Sequence, residues 1–134
     1  MKQTFKIIEG RLNEKTVTLG EFFLTLLHSA TNTHILHLQT TSYAEHKALK
    51  GFYDNVVDLT DSIIEACQGK NQHIVEYPHA YTPPLANGLD ELKALSLYVQ
   101  TNRSVVGADS ELQNMVDEVL ALIDSTIYKL TFLK

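Results

Sequence analysis

Hydrophobic residues recur at helical spacing in four stretches of the chain. The run Thr18-Leu19-Gly20-Glu21 fits the S/T-x-x-E capping box, in which two side chains satisfy backbone donors at a helix start. It predicts a first helix near 19–39. The run Ser42-Tyr43-Ala44-Glu45 fits the same motif and predicts a second helix near 43–68, with Gly69 as a plausible C-terminal cap. The apolar positions that carry the spacing are Phe22, Leu26, Ala30, Ile35 and Leu36 in the first helix, and Leu49, Phe52, Val56, Ile63 and Cys67 in the second.

The second half of the chain is divided by proline. Residues 70–86 contain all three prolines and cannot form one long helix. Asn87 or a neighbour is expected to cap a third, shorter helix that ends around 102–107. The run Ser110-Glu111-Leu112-Gln113 is a capping box of the S-x-x-Q type and predicts a fourth helix almost to residue 134. Only 1–8 and 71–77 have a weak extended pattern.

Four amphipathic helices that each hide one apolar stripe predict an all-α fold, a single-domain four-helix bundle over residues 1–134. Short loops after the first and third helices predict antiparallel hairpins. The connection between the second and third helices, about 17 residues, can reach ~55 Å, whereas a helix of about 26 residues is only ~39 Å long. The connection can therefore cross the whole bundle and leave these two helices parallel, as in ferritin-like bundles with one long crossover.

Composition excludes several classes of protein. The formal net charge is −5, and neither end has a run of Lys or Arg, which argues against general nucleic-acid binding through a basic tail. No stretch approaches the ~20 apolar residues that span a bilayer, and the start MKQTFKIIEG lacks the apolar core of a secretory signal. The single cysteine, Cys67, excludes an internal disulfide framework and suits a reducing cytosol. A cytoplasmic protein without a membrane segment is therefore expected.

The histidines and carboxylates are candidate metal ligands, because helical bundles form iron sites from such residues on facing helices. His34 and His37 are one turn apart, as are Asp61 and Glu65, so each pair can share a face, although a solvated face is the more common explanation of any such pair. His46 and Asp61 are ~22 Å apart along one helix and cannot bind one ion within a chain. They could do so across a two-fold axis between antiparallel second helices of two chains. The full candidate set is His28, His34, His37, His46, Asp54, Asp58, Asp61 and Glu65.

The segment THILHLQTTSYAEHKALKGFYDNVVDLTDSIIEACQG resembles the central segment of Dps proteins, the mini-ferritins. In that family a His is followed twelve positions later by a second His. An Asp comes four further on, and acidic residues follow fifteen and nineteen beyond the second His. These residues form a ferroxidase site shared between two subunits. His34, His46, Asp61 and Glu65 match four of these positions.

The end of the chain, GADSELQNMVDEVLALIDSTIYKLTFL, resembles the last helix of the same family. The resemblance covers roughly residues 18–70 and 105–133. It implies a ferritin-like fold and a homo-oligomer, at least a two-fold dimer and at most a hollow shell. It also implies Fe as the ion at the shared site, with Fe(II) oxidation as the activity.

The chain departs from that pattern at Lys50, which stands where the family has its bridging Asp. Ile35 replaces the usual Trp, and there is no basic tail. An ammonium ~6 Å from a divalent ion, at an effective dielectric of ~20, repels it by about 5–6 kcal/mol, roughly four decades in affinity. That is an upper bound, because a Lys side chain can swing its charge into water. Lys50 could instead form a structural salt bridge with Asp61 or Glu65 of a neighbouring chain.

The remaining candidates have more ordinary interpretations. His28 and Cys67 are expected to be structural, and Asp54 and Asp58 to be solvated. His37 is interpreted as a packing residue in preference to a spare metal ligand. The residues Tyr77, His79 and Tyr81 could form a recognition loop or a dimer contact, of which the contact is preferred.

Two functions are compatible with these patterns. The first is a ferroxidase or iron-storage protein that binds Fe(II) between subunits through His34, His46, Asp61 and Glu65. The second is a non-catalytic relative that keeps the bundle and its symmetric interface and acts as an oligomeric scaffold or binding protein, a kind of copy that would not be surprising in a phage genome. The sequence favours the second, because Lys50 occupies the bridging-ligand position.

Overall fold

The computed structural model describes residues 16–134, and the predicted extended pattern at 1–8 lies outside them. Four α-helices follow one another: α1 (Leu19–Gln39), α2 (Tyr43–Asn71), α3 (Gly88–Asn102) and α4 (Ser110–Phe132). A 3₁₀ turn, Arg103–Val106, continues directly from α3. Within the described residues no strand occurs, at 71–77 or elsewhere. For residues 16–134, the prediction of an all-α protein with four helices is confirmed.

The capping motifs set the starts of the first two helices. The Thr18 hydroxyl accepts a hydrogen bond from the Glu21 amide (3.1 Å), and the Glu21 carboxylate accepts one from the Thr18 amide (2.8 Å), so the first capping box is complete. The Ser42 hydroxyl likewise accepts from the Glu45 amide (3.2 Å). The Glu45 carboxylate instead accepts from the Thr40 hydroxyl (2.6 Å) and the Gly88 amide (3.1 Å). Glu45 therefore ties the α1–α2 turn to the start of α3.

Two helix ends differ from the prediction. Helix α2 passes Gly69 and ends at Asn71, with Gln72 in the left-handed conformation (φ 52°) as its C-terminal cap. The predicted Gly69 cap is therefore wrong. Helix α4 has Asp109 rather than Ser110 as its N-cap. The predicted S-x-x-Q box is also wrong. The side-chain amide of Gln113 instead donates to the backbone carbonyl oxygens of Arg103 (3.0 Å) and Gly107 (2.7 Å), which lie in the segment that leads into α4.

The helices enclose one hydrophobic core. Helix α1 packs on α2 and α3, and α4 packs on α2 and α3. Fully buried side chains come from all four helices, and each contributes roughly 1.5–3 kcal/mol of burial free energy. The largest are Phe22, Phe23, Leu26, Leu49, Phe52, Ile63, Leu92, Leu112 and Ile123.

The connection between α2 and α3, residues 72–87, has no regular secondary structure. The Glu76 carbonyl lies against Gly20, in the first turn of α1. Further along, the Tyr81 hydroxyl donates to the Asn32 side chain (2.7 Å), in the second half of α1. The Gly88 amide then meets Glu45, in the first turn of α2. The position of Gly88 leaves little room, because a Cβ there would lie 2.9 Å from a methyl carbon of Leu49.

Candidate functional site at the α1–α2 turn

His37 and His46 face each other across the turn that joins α1 to α2. Their rings are stacked, with centroids 3.6 Å apart and planes 17° apart. His37 Nδ1 lies 2.6 Å from the His46 carbonyl oxygen, and His46 Nδ1 lies 2.8 Å from the His37 carbonyl oxygen. Because a carbonyl only accepts, each Nδ1 carries the proton and donates it. The reciprocal pair therefore fastens the last turn of α1 to the first turn of α2.

The stack continues through Tyr53 to His34. The His34 ring lies parallel to Tyr53, with centroids 4.2 Å apart and planes 18° apart. Tyr53 also meets His37 edge to face, with centroids 5.3 Å apart. The four rings form one cluster across the α1–α2 surface, here named the histidine–tyrosine stack (His34, His37, His46 and Tyr53). Its inner member, His37, is only 6% exposed.

Lys50 borders this stack. Its ammonium lies 3.1 Å from Asp54 Oδ2, one turn further along α2, and 5.4 Å from the centroid of the Tyr53 ring. The hydrogen bond to Asp54 raises the pKa of Lys50 above its usual value, helped by the charge of that carboxylate. Both side chains are about half exposed. A positive charge therefore lies beside the Tyr53 ring of the stack, paired with the Asp54 carboxylate.

The two predicted acidic ligands lie elsewhere. Asp61 and Glu65 are exposed on α2, fifteen and nineteen residues beyond His46, and one chain does not bring them to the histidines. Within residues 16–134, no group of three or more His, Cys, Asp or Glu side chains is arranged to hold a metal ion. Asp61 acts instead on Tyr77, in the α2–α3 connection: burial raises the pKa of the Tyr77 hydroxyl, and the negative charge of Asp61 raises it further.

Several secondary expectations can be compared with the structure. Cys67 is a core residue, 1% exposed, as predicted, and its burial raises the pKa of the thiol. His28 is half-buried and packs edge to face on Tyr81, with centroids 5.1 Å apart. Asp58 is exposed as predicted. Asp54 is exposed too, but its pairing with Lys50 gives it a partner that the prediction lacked.

Sequence reasoning missed Tyr53, and it named Asp54 as a candidate without its partner Lys50. Asp54 and Tyr53 stand four and three residues after Lys50, spacings that place all three on one helix face. The Lys–Asp pair could therefore have been found from spacing alone. The contact between Tyr53 and His34 joins two helices, so it depends on how α1 and α2 are paired.

Over residues 16–134 the geometry defines the class: an all-helical, four-helix protein with a histidine-rich surface at its first hairpin, bordered by the Lys50–Asp54 ion pair. The chain belongs to a family of unknown function (DUF5856), whose family model matches residues 37–130, more than half of its length. That range includes His37, His46 and Lys50, whereas His34 precedes it. No curated protein and no solved structure matches the chain. Among the described helices, none combines the length and apolar character needed to cross a membrane.

Proposed function

We propose that this protein is a divergent, Dps-like, ferritin-like bundle that assembles into a homo-oligomer and acts as a non-catalytic scaffold or binding protein. Its ancestral intersubunit metal site is degenerate in this proposal. The observation that carries it is the Lys50 ammonium, fixed by Asp54 at 3.1 Å beside the stack that contains His34 and His46. The buried thiol of Cys67 supports a reducing, cytosolic setting.

The course of the α2–α3 connection supports the ferritin-like part of the proposal. The connection contacts Gly20 near the start of α1 and then Asn32 in its second half. It delivers Gly88 to Glu45 at the start of α2. A connection that travels back along the hairpin leaves α2 and α3 running in the same direction, which is the arrangement of a bundle with one long crossover.

Electrostatics supports the non-catalytic part. A divalent ion bound by His34 and His46 would lie near a lysine whose pKa is raised by Asp54, so this lysine remains charged at neutral pH. The two positive charges repel each other, although the exposure of Lys50 lets solvent screen much of that repulsion. The face is therefore better suited to a structural role than to iron oxidation.

Exposed apolar side chains support assembly. Five of them lie at the end of the bundle where α1 and α4 finish and α2 begins, and they are between 51% and 75% exposed. Exposed apolar groups gathered on one part of a protein commonly mark contacts with other proteins. These five residues are Leu38, Tyr43, Tyr128, Phe132 and Leu133.

Assembly mass, metal content and Fe(II) oxidation test the proposal together. We expect light scattering to give a mass of at least a dimer, and the native protein to leave Fe(II) oxidation at the rate of buffer alone. Lys50→Asp restores an acidic residue at the bridging position and is expected to gain Fe(II) affinity. Lys47→Asp makes the same charge change on the same helix and should not, since Lys47 is exposed and lies near the Tyr43 ring rather than Tyr53.

Three results would contradict parts of this proposal. A monomer at all concentrations removes the oligomeric scaffold. Iron-dependent oxygen or peroxide consumption by the native protein, above the buffer rate, replaces it with the ferroxidase hypothesis. If Lys50→Asp binds no more iron than Lys47→Asp, the degenerate-site explanation also fails.

A further inference from the structure

A cleft with a volume of about 480 Å³ separates α1, the α2–α3 connection and α3. None of its lining residues belongs to the histidine–tyrosine stack. Apolar walls come from all three segments: Leu24 from α1, Pro83 and Leu85 from the connection, and Leu95 and Tyr98 from α3. Small-molecule sites typically occupy ~300–1,000 Å³ and have mostly apolar walls with a few polar groups. The α1–α3 cleft has both properties.

The wall formed by the connection is held in place by hydrogen bonds. Asn32, 6% exposed, accepts a hydrogen bond from the Tyr81 hydroxyl (2.7 Å) and donates one to the Thr82 carbonyl oxygen (3.0 Å). His28 packs against the Tyr81 ring from the α1 side. These contacts fix the aromatic side chain at the cleft and reduce the ordering that binding would require.

Among residues 16–134, the charged side chains that line the cleft are both acidic, Glu21 and Glu91, and no Lys or Arg of this part of the chain lines it. The half-buried Glu91 carboxylate accepts from the Leu85 amide (2.8 Å) and lies 3.4 Å from the Asn32 side-chain nitrogen. Among residues 16–134, no Lys, Arg or His forms an ion pair with Glu91. A carboxylate in a largely apolar cleft favours a ligand that brings a positive charge.

We propose that the α1–α3 cleft binds a small organic cation with an aromatic body and a protonated amine. The amine pairs with Glu91, and the aromatic body lies between Leu24, Leu85 and Tyr98. This site is independent of the proposed oligomeric function, because it uses a different part of the bundle and requires no metal.

Indole compounds make a sharp test, because the chain contains no Trp and indole emission reports the ligand alone. Tryptamine, tryptophol and indole-3-propionate share one ring and carry a cationic, a neutral and an anionic end. They are titrated with the full chain by fluorescence anisotropy. We expect saturable binding of tryptamine about fivefold tighter than tryptophol, the scale of a partly screened ion pair, with indole-3-propionate weakest.

Two pairs of variants separate charge from shape. Glu91→Gln is expected to abolish the preference for tryptamine over tryptophol, whereas Glu118→Gln, an exposed residue of α4 outside the cleft, leaves it unchanged. Ala94→Phe puts a ring into the cleft and should weaken all ligands by about tenfold or more, since overpacking is costly. Ala121→Phe is the exposed control on α4. Circular dichroism melting of each variant checks that its fold is kept.

Any one of the following outcomes overturns the proposal. One is the lack of saturable binding by tryptamine to the native chain. Another is equal affinity for the amine and the alcohol, which would leave an apolar cleft without charge selection. The third is an unchanged amine preference in Glu91→Gln, or unchanged affinities in Ala94→Phe, which would place the ligand elsewhere.

Discussion

Replacing Gly20 by alanine tests whether the connection packs on the first turn of α1. A Cβ at this position would overlap the Glu76 carbonyl oxygen and lie 3.0 Å from the Glu76 carbonyl carbon and 3.3 Å from the Tyr77 Cα. All three are backbone atoms, so the connection must move as a unit. Overpacking of this kind costs roughly 1–3 kcal/mol, and the helix preference of alanine returns at most about 1 kcal/mol. We expect Gly20→Ala to lower the free energy of unfolding by about 1–2 kcal/mol.

Gly51→Ala is the matched control. Gly51 lies inside α2, and a Cβ there would meet no atom within 4 Å. The same substitution should therefore stabilise the protein by about 0.5–1 kcal/mol. Urea unfolding followed by circular dichroism measures both variants, with an unchanged slope as the sign that only stability has changed. If Gly20→Ala equals or exceeds the native stability while Gly51→Ala shows its gain, Glu76 does not pack on Gly20 and the derived path of the connection is wrong.

Three further predictions concern residues that hold the bundle together. Glu45→Ala should lower the free energy of unfolding by about 1.5–3 kcal/mol, because the Gly88 amide loses its charged acceptor; a Glu45→Gln variant that keeps the native stability would argue against a specific role for the charge. His37→Phe should cost about 1 kcal/mol through the lost donor to the His46 carbonyl, whereas His34→Phe keeps its stacking on Tyr53 and should be near neutral in the same urea assay. Burial, and then the charge of Asp109, raise the pKa of Cys67 above its ordinary 9.0, so its contribution to stability is complete below about pH 9 and is lost as pH rises through the folded-state pKa. Urea midpoints from about pH 7 to about pH 10 should fall more for the native chain than for Cys67→Ala, and parallel curves would contradict this linkage.

Helix positions were readable from the sequence because they depend on local chemistry. The run from Thr18 to Glu21 forms its capping box within one turn, so the start of α1 could be predicted to the residue. The errors came where distant backbone competes for a capping group. Gln113 donates to the backbone of residues 103 and 107 instead of completing a box with Ser110.

The candidate site was only partly predictable. The comparison of spacing with the Dps pattern identified Lys50 as a departure from it. The i, i+4 spacing of Lys50 and Asp54 on one helix also predicts that these two residues can form an ion pair. It gave no indication that His37 and His46 would donate to each other's carbonyl oxygens, which requires two helices in register. The α1–α3 cleft was missed entirely, because its walls come from three segments.

The sequence by itself determined the four helices, the proline-containing connection and the charge at Lys50, since periodicity, capping and spacing act over a few residues. Only the tertiary structure decided which groups meet: the His37–His46 pair, the tie from Glu45 to Gly88, and the cleft with Glu91 on its wall. The physical reason is the short range of these interactions. Hydrogen bonds and ring contacts extend only a few ångströms, so residues far apart in sequence interact only after helix packing has fixed their relative positions.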